Sequence, residues 1–250
     1  MEIMTNRNIN IDGSGLFIKL LSKASKCQED FFRHSKFFWE KQNVSSFCCF
    51  HDVAYENKGP FSIKKDMLLN FIHQYDGKFR SIDDVISEKK NGIVLTFDDG
   101  YLSLYDMVYP VLRECGIPFV VYISTDFIGT PGYLTTKHVY ELARNNSRCV
   151  IGSHMCSHKK TREMNIEEIK REWIRSKEVL EEITGKEVRH AALPYGSILS
   201  CSRRSMDIAL NSGYKTVATT RAIPYFGGAI IPRFVYQNNK PYMPIVPDIK

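Results

Sequence analysis

Among the seven cysteines of this 250-residue sequence there is no Cys-x-x-Cys pair, so neither a zinc knuckle nor a dithiol redox centre is indicated. No apolar run reaches the roughly 20 residues needed to cross a bilayer. Met1 to Asn10 is polar, with no basic region leading into an apolar stretch, so no secretory leader is visible. Internal repeats, low-complexity tracts and linker-like segments are also missing. Charge of one sign is never massed. The formal charge is only +6, and Lys64-Lys65, Lys89-Lys90 and Arg203-Arg204 are short clusters flanked by acids or apolar residues. They read as solvated surface rather than a nucleic-acid stripe. Adjacent Cys48 and Cys49 would point to opposite faces of a strand, where a disulfide between them is strained. Buried thiols in a reducing compartment, and so a cytoplasmic protein, are the expectation.

What is present is an ordinary globular composition, 43% hydrophobic and 25% charged, in a chain long enough to bury a substantial core. Strand and helix patterns alternate. Strands are expected at Ser46–Val53, Pro118–Ile123, Cys149–His154, Tyr214–Thr219 and Ile230–Tyr236, and at His190–Gly196 running into a turn. Helices are expected at Phe61–Tyr75, after an N-cap at Ser81, at Leu102–Cys115 with a break at Pro110, and at Thr135–Arg144, Ile166–Ile183 and Ser205–Ser212. A further helix could start at Leu16 and extend toward Trp39, and the tail from Pro241 reads as irregular. The alternation predicts one parallel-stranded α/β domain, open or closed into a barrel, over 46–250, with residues 1–45 as an extension packed on it.

In such folds side chains from distant positions meet at the C-terminal ends of the strands. Four of those ends carry chemically capable groups. Ile93-Val94-Leu95-Thr96-Phe97 runs into Asp98-Asp99-Gly100, a sequence that could equally be a plain turn. His51 ends the first strand. His154 and His158 are four residues apart, so one helical turn or one tight loop could aim both imidazoles at a point. Pro194-Tyr195-Gly196 forms the remaining turn. Two imidazoles and a carboxylate suit zinc and related divalent ions, with positions left for water and substrate. No Glu follows His154, which excludes the His-Glu-x-x-His protease motif.

Taken together, the motifs resemble those of the polysaccharide deacetylases that share the NodB homology domain (carbohydrate esterase family 4). Thr96-Phe97-Asp98-Asp99-Gly100 is similar to the family's first motif, Ser153-His154-Met155-Cys156-Ser157-His158 to its histidine motif, and Leu193-Pro194-Tyr195-Gly196 to its third. The resemblance covers about His51 to Arg233, and three ordered motifs are far more specific than one. It implies a distorted (β/α) barrel, usually seven-stranded, and a hydrolase that removes acetyl from an N-acetylated carbohydrate. Asp99, His154 and His158 would hold a divalent metal, zinc first among the candidates. Asp98 would be the general base, and the backbone amide of Tyr195 would help hold the oxyanion. An O-acetyl esterase, or a silent carbohydrate-binding relative, are the alternatives.

Two departures from the family pattern matter. No late Leu-x-His motif supplies the acid for the leaving amine. Phe50-His51-Asp52-Val53 resembles the early Tyr-His motif of the branch acting on poly-N-acetylglucosamine, which implies His51 as the acid; the alternative is a core histidine. Ala192 stands where the family often has an arginine paired to the base. Arg233 could supply that cation from another strand, or be a surface residue. Met155 replaces a common Ser or Thr without removing a ligand. His34, His73, His138 and His190 have no partner at ligand spacing and read as surface or structural residues, and Trp173 as core packing.

Overall fold

A computed structural model describes residues 44–238 apart from 57, 145–147, 224 and 226. The helix expected between Leu16 and Trp39, nearly all of the 1–45 extension and the tail from Pro241 lie outside the described residues. The chain begins with β1 (Ser46–Phe50), then the short parallel pair β2 (Asp52–Ala54) and β3 (Ser62–Lys64). Next come α1 (Lys65–Gln74), α2 (Ile82–Ile86) and β4 (Ile93–Phe97). A π-helical stretch (Leu104–Val108) leads into α3 (Tyr109–Glu114), followed by β5 (Phe119–Ile123), α4 (Thr136–Arg144) and β6 (Cys149–Ser153). The order closes with α5 (Ile166–Thr184), β7 (His190–Ala192), α6 (Arg203–Asn211), β8 (Thr216–Ala218), β9 (Ile230–Ile231) and β10 (Phe234–Val235).

Eight strands make one sheet in the order β10-β1-β4-β5-β6-β7-β8-β9. Every neighbouring pair is parallel. The two edge strands, β9 and β10, are separated in the chain only by Pro232 and Arg233, so the sheet must curl until its edges meet. This is the distorted barrel, with eight strands rather than seven. The extra strand comes from the expected Ile230–Tyr236 strand being split in two. Pro232 has no N–H to give to a ladder, and Arg233 turns wholly inward, 0% exposed.

Burial on both faces explains why these strands read as continuous apolar runs. Phe47, Val94, Val120, Tyr122, Ala192, Ala218 and Ile231 fill the barrel interior with Ile82 and Val85 of α2. The alternate residues, among them Phe50, Leu95, Phe97, Val121 and Ile151, pack outward against the helices. Gly152 makes room for one interior ring: a Cβ there would lie 2.5 Å from the Tyr122 ring.

The helix ends follow their sequence signals. Ser81 and Asp84 form a reciprocal capping box at α2, and Asn165 and Glu168 do the same for α5. Gly185, at φ 64°, stops α5 in the left-handed conformation. Two expectations change. The start of the helix expected from Phe61 is instead β3, because tertiary pairing with β2 overrides helical spacing. The Leu102–Cys115 helix opens with a π turn before Pro110, which cannot donate to the preceding turn. The described cysteines are free and, apart from Cys115 at the end of α3, buried. No helix among the described residues is long and apolar enough to cross a membrane.

Candidate active site

The two aspartates diverge because the backbone changes hand between them. Asp98 continues the β4 ladder, its amide donating to the Phe50 carbonyl at 2.9 Å. By strand alternation with Val94 and Thr96 it therefore faces the barrel interior. Asp99 then adopts φ 71°, in the left-handed region, which swings its carboxylate toward the mouth of the barrel.

His154 likewise extends its strand, donating its amide to Ile123 O at 2.9 Å. Beyond it the chain makes a tight loop rather than a helical turn, with Met155 at φ 62° and His158 at φ 54°. Glu172 of α5 holds that loop: its Oε2 accepts from the amides of Cys156 (2.8 Å) and Ser157 (2.9 Å). The loop brings His154 Nε2 to 3.3 Å and His158 Nε2 to 3.0 Å from Asp99 Oδ1. That oxygen is buried and accepts no hydrogen bond. The ring atoms converge on it without donating to it. His154 Nδ1 lies 2.8 Å from Ala192 O, and a carbonyl can only accept, so Nδ1 carries the proton and the Nε2 lone pair is turned into the site.

These residues fit a divalent ion. Ligands about 2.0–2.1 Å from one tetrahedral ion stand about 3.3 Å apart, close to the separations above. An uncompensated buried carboxylate oxygen among three atoms that all lie within 4.8 Å of one another is what a cation would complete.

Asp98 sits in a closed setting instead. Arg233 Nη1 and Nη2 donate to its Oδ1 and Oδ2 at 2.6 and 2.7 Å, a bidentate pair between fully buried groups. Arg233 also donates to Thr96 Oγ1 (3.0 Å) and Thr219 O (3.2 Å) and lies over the Tyr122 ring at 5.2 Å. The Cys49 thiol approaches Asp98 Oδ2 at 3.4 Å. Burial pushes the Asp98 carboxyl upward, but the charge and hydrogen bonds of Arg233 oppose it and hold the group below the usual carboxylate range. Arg233 is thus a core residue on Asp98, and not a surface one. It reaches Asp98 from the break between β9 and β10.

His51 interrupts the first strand between β1 and β2 and lies within 4.8 Å of Cys49 and Asp98 through their polar atoms. Its Nδ1 is buried without a hydrogen-bond partner. Burial pushes this imidazole below its ordinary value, against the pull of Asp98 and Asp99. Ser103 fixes the strand beyond it, donating to Asp52 Oδ1 at 2.7 Å and accepting from the Val53 amide at 3.2 Å. Tyr195, half exposed and at φ 62°, places its ring 4.9 Å from that of His158. A cavity of about 420 Å³ connects these groups, lined by His51, Asp98, Asp99, His158 and Tyr195, with Phe61 and Tyr101 among its other walls. Tyr101 stacks on Tyr133 at 5.0 Å.

All seven residues singled out from the sequence therefore lie at one mouth. Sequence reasoning missed Glu172, Cys49 and Ser103. For Glu172 a faint signal existed, since it borders the buried stripe of Ile169, Trp173 and Ser176. Four of the five non-glycine residues with positive φ among the described residues, namely Asp99, Met155, His158 and Tyr195, are here. Such strain persists only where its surroundings enforce it. Of the other described histidines, His190 is buried against Thr216 Oγ1 at 2.9 Å, His138 stacks on Tyr105 at 4.4 Å, and His73 is exposed in the last turn of α1.

A parallel barrel with a carboxylate–imidazole cluster at its C-terminal mouth defines a (β/α)-barrel protein with a candidate metal-binding centre. Comparison with known sequences narrows this: the family model for polysaccharide deacetylase matches residues 86–217, and the chain belongs to that family. The Bacillus subtilis (strain 168) protein YxkH, which carries a polysaccharide deacetylase designation, is 25% identical over 128 residues, 51% of this chain and 44% of that protein. The chain thus matches less than half the length of this curated relative. Among solved structures, a de-N-acetylase from Aggregatibacter actinomycetemcomitans superposes with a TM-score of 0.68 at 18% identity, covering 79% of this chain and 97% of that one. IcaB from Ammonifex degensii gives 0.66 at 21% identity, covering 79% and 94%. At these identities the structures establish a shared fold.

Proposed function

We propose that this protein is a metal-dependent hydrolase that removes the acetyl group from an N-acetylated sugar or polysaccharide, with its catalytic unit in residues 46–250. The observation that carries the reading is the convergence of two imidazoles on the unpartnered Asp99 oxygen, one residue from a carboxylate locked to a buried arginine. A bound divalent ion, zinc by the chemistry of its ligands, supplies the Lewis acidity that polarises an acetamide carbonyl and makes water acidic enough to attack it.

Asp99, His154 and His158 hold that ion, and the chain's other residues divide the proton work. Asp98 takes a proton from the attacking water. Arg233 keeps this carboxylate ionised and aimed; as a base it is weak, which suffices once the water has been acidified. The water oxygen bonds to the carbonyl carbon, the C–N bond breaks, and the amine nitrogen must gain a proton. His51 donates it as imidazolium, with the proton collected by Asp98 within 4.8 Å of its ring. The Tyr195 amide, set by a left-handed residue at the cavity wall, stabilises the oxyanion. The aromatic wall formed by Tyr101 and Phe61 suits a sugar ring.

The test is acetate release from an N-acetylglucosamine oligomer by zinc-loaded protein, beside Asp98→Asn. Wild type should release acetate, and the variant should keep its metal yet lose roughly a hundredfold or more in kcat. Wild-type turnover by Asp98→Asn would remove Asp98 from the mechanism; no acetate from the loaded wild type would remove the activity.

A further inference from the structure

Behind the Tyr195–Gly196 turn lies a second cavity of about 620 Å³, which the proposed chemistry does not use. Its more buried lining, the floor, is apolar, from Leu193, Met206 and Leu210, and the exposed Ile230, Arg162, Arg203 and Arg221 stand at its rim. Asp207 is the one carboxylate on this lining, so three cations face one anion. Arg162 is tied by its Nε to Ile198 O at 2.9 Å. Arg203 and Arg221 are exposed.

Only one thickness of backbone separates this groove from the active cavity. Tyr195 and Thr220 line the active side, Gly196 and Thr219 the other. The two segments are stitched together: Thr220 N donates to Gly196 O at 3.0 Å and Thr220 Oγ1 to Tyr195 O at 2.9 Å. Gly196 permits the close approach, since a Cβ there would stand 2.5 Å from Thr220 Cγ2. A molecule bound with its sugar in the active cavity can therefore continue over the turn onto the groove.

We infer that the groove is a substrate subsite for a sugar joined through a phosphate to an apolar chain, with the phosphate on Arg203 and Arg221 and the chain on the aliphatic floor. This rests on the deacetylase reading of the neighbouring cavity. The chemistry favours it over a longer neutral glycan. Guanidinium forks match a phosphate in two-point geometry. An aliphatic floor offers a sugar hydroxyl nothing to bond, whereas it removes an alkyl chain from water at about 25 cal/mol per Å².

The test compares three N-acetylglucosaminyl compounds: the methyl glycoside, the 1-phosphate, and the 1-phosphate esterified to a decyl chain. Acetate release should show kcat/KM rising in that order. In the Arg203→Gln/Arg221→Gln variant, whose altered side chains are exposed, the advantage of the two phosphates over the methyl glycoside should fall about tenfold. Met206→Gln, which adds no charge beside Arg203, should reduce chiefly the additional gain from the decyl chain. Equal turnover of all three compounds, or equal loss on all three in the arginine variant, overturns the subsite. If no compound releases acetate, the deacetylase reading fails, and calorimetry with decyl phosphate alone decides the groove. Binding that the arginine variant loses supports it; absence of binding to wild type overturns it.

Discussion

The two ends of this barrel are made from the same strands and obey different rules. At the floor, where the strands begin, α2 pushes Ile82 and Val85 among Phe47, Val94 and Val120. Tyr225 closes edge-on against Phe47 at 5.2 Å, and Asp83 meets Arg189 at 3.0 Å. At the mouth the backbone is left-handed at four non-glycine residues, and Asp99 Oδ1 and His51 Nδ1 are buried without hydrogen-bond partners, whereas the floor shares only the second trait, at His190 Nε2. The floor spends its sequence on packing. The mouth holds strained, partly unsatisfied groups because the loops around it are pinned from outside, Glu172 being the clearest pin. The difference teaches where to look for each kind of loss: changes at the mouth should cost binding and turnover, and changes at the floor should cost stability.

The strongest test of that division is Asp99→Ala. Metal content after dialysis should fall from one ion per chain to none, while the unfolding midpoint without metal falls only by the small cost of placing Ala at φ 71°. Full metal retention would break the assignment. Arg233→Met comes next and probes the boundary, because it leaves Asp98 buried and unpaired. Such a loss costs about 3–5 kcal/mol, and Arg233→Met/Asp98→Leu should recover much of it; denaturant unfolding measures both.

A smaller effect belongs to the floor. Burial lowers the His190 imidazole to about 4 from its ordinary 6.5, with Asp83 opposing. The folded state therefore binds fewer protons than the unfolded state between those values. Stability from this site is complete above pH 6.5 and is lost as the pH falls toward 4. The total is roughly 3 kcal/mol. Unfolding of His190→Gln at pH 7.5 and 4.5 should show a shallower decline than wild type. Smallest is Glu172→Gln, expected to weaken metal affinity roughly tenfold to a hundredfold through loss of a charged loop anchor. Competition with a chelating dye reads it, and an unaltered affinity would mean the loop holds itself.

Much of this was legible in the sequence, and what was not shares a cause. The strand ends at Asp98, His154 and Tyr195 follow from apolar runs that stop abruptly, and α5 follows from its stripe, its capping box and Gly185. By contrast, Ile230–Tyr236 reads as one strand, because the inward turn of Arg233 is fixed by Asp98 across 135 positions. Phe61–Lys64 carries helical spacing, yet its backbone pairs with β2. Glu172 is one of many glutamates on α5, and its partners are backbone amides, which leave no mark in a sequence. His51 was visible as a strand-end histidine, but its burial beside Cys49 and Asp98 was not. Local pattern shows where an element stops; only the assembled barrel shows what a polar group finds there.

The split strand has a consequence for how the chain reaches this state. Asp98 enters the barrel early in synthesis and its counter-charge arrives 135 residues later, on the segment whose pairing brings the two edges of the sheet together. Until Pro232-Arg233 is in place, a closed barrel would enclose a naked carboxylate, and an open one exposes its interior. Ring closure and charge neutralisation are thus expected to come together, with a large loop to close. A nascent chain halted short of residue 233 should remain open and protease-sensitive, and limited proteolysis of chains ending before and after Arg233 checks it.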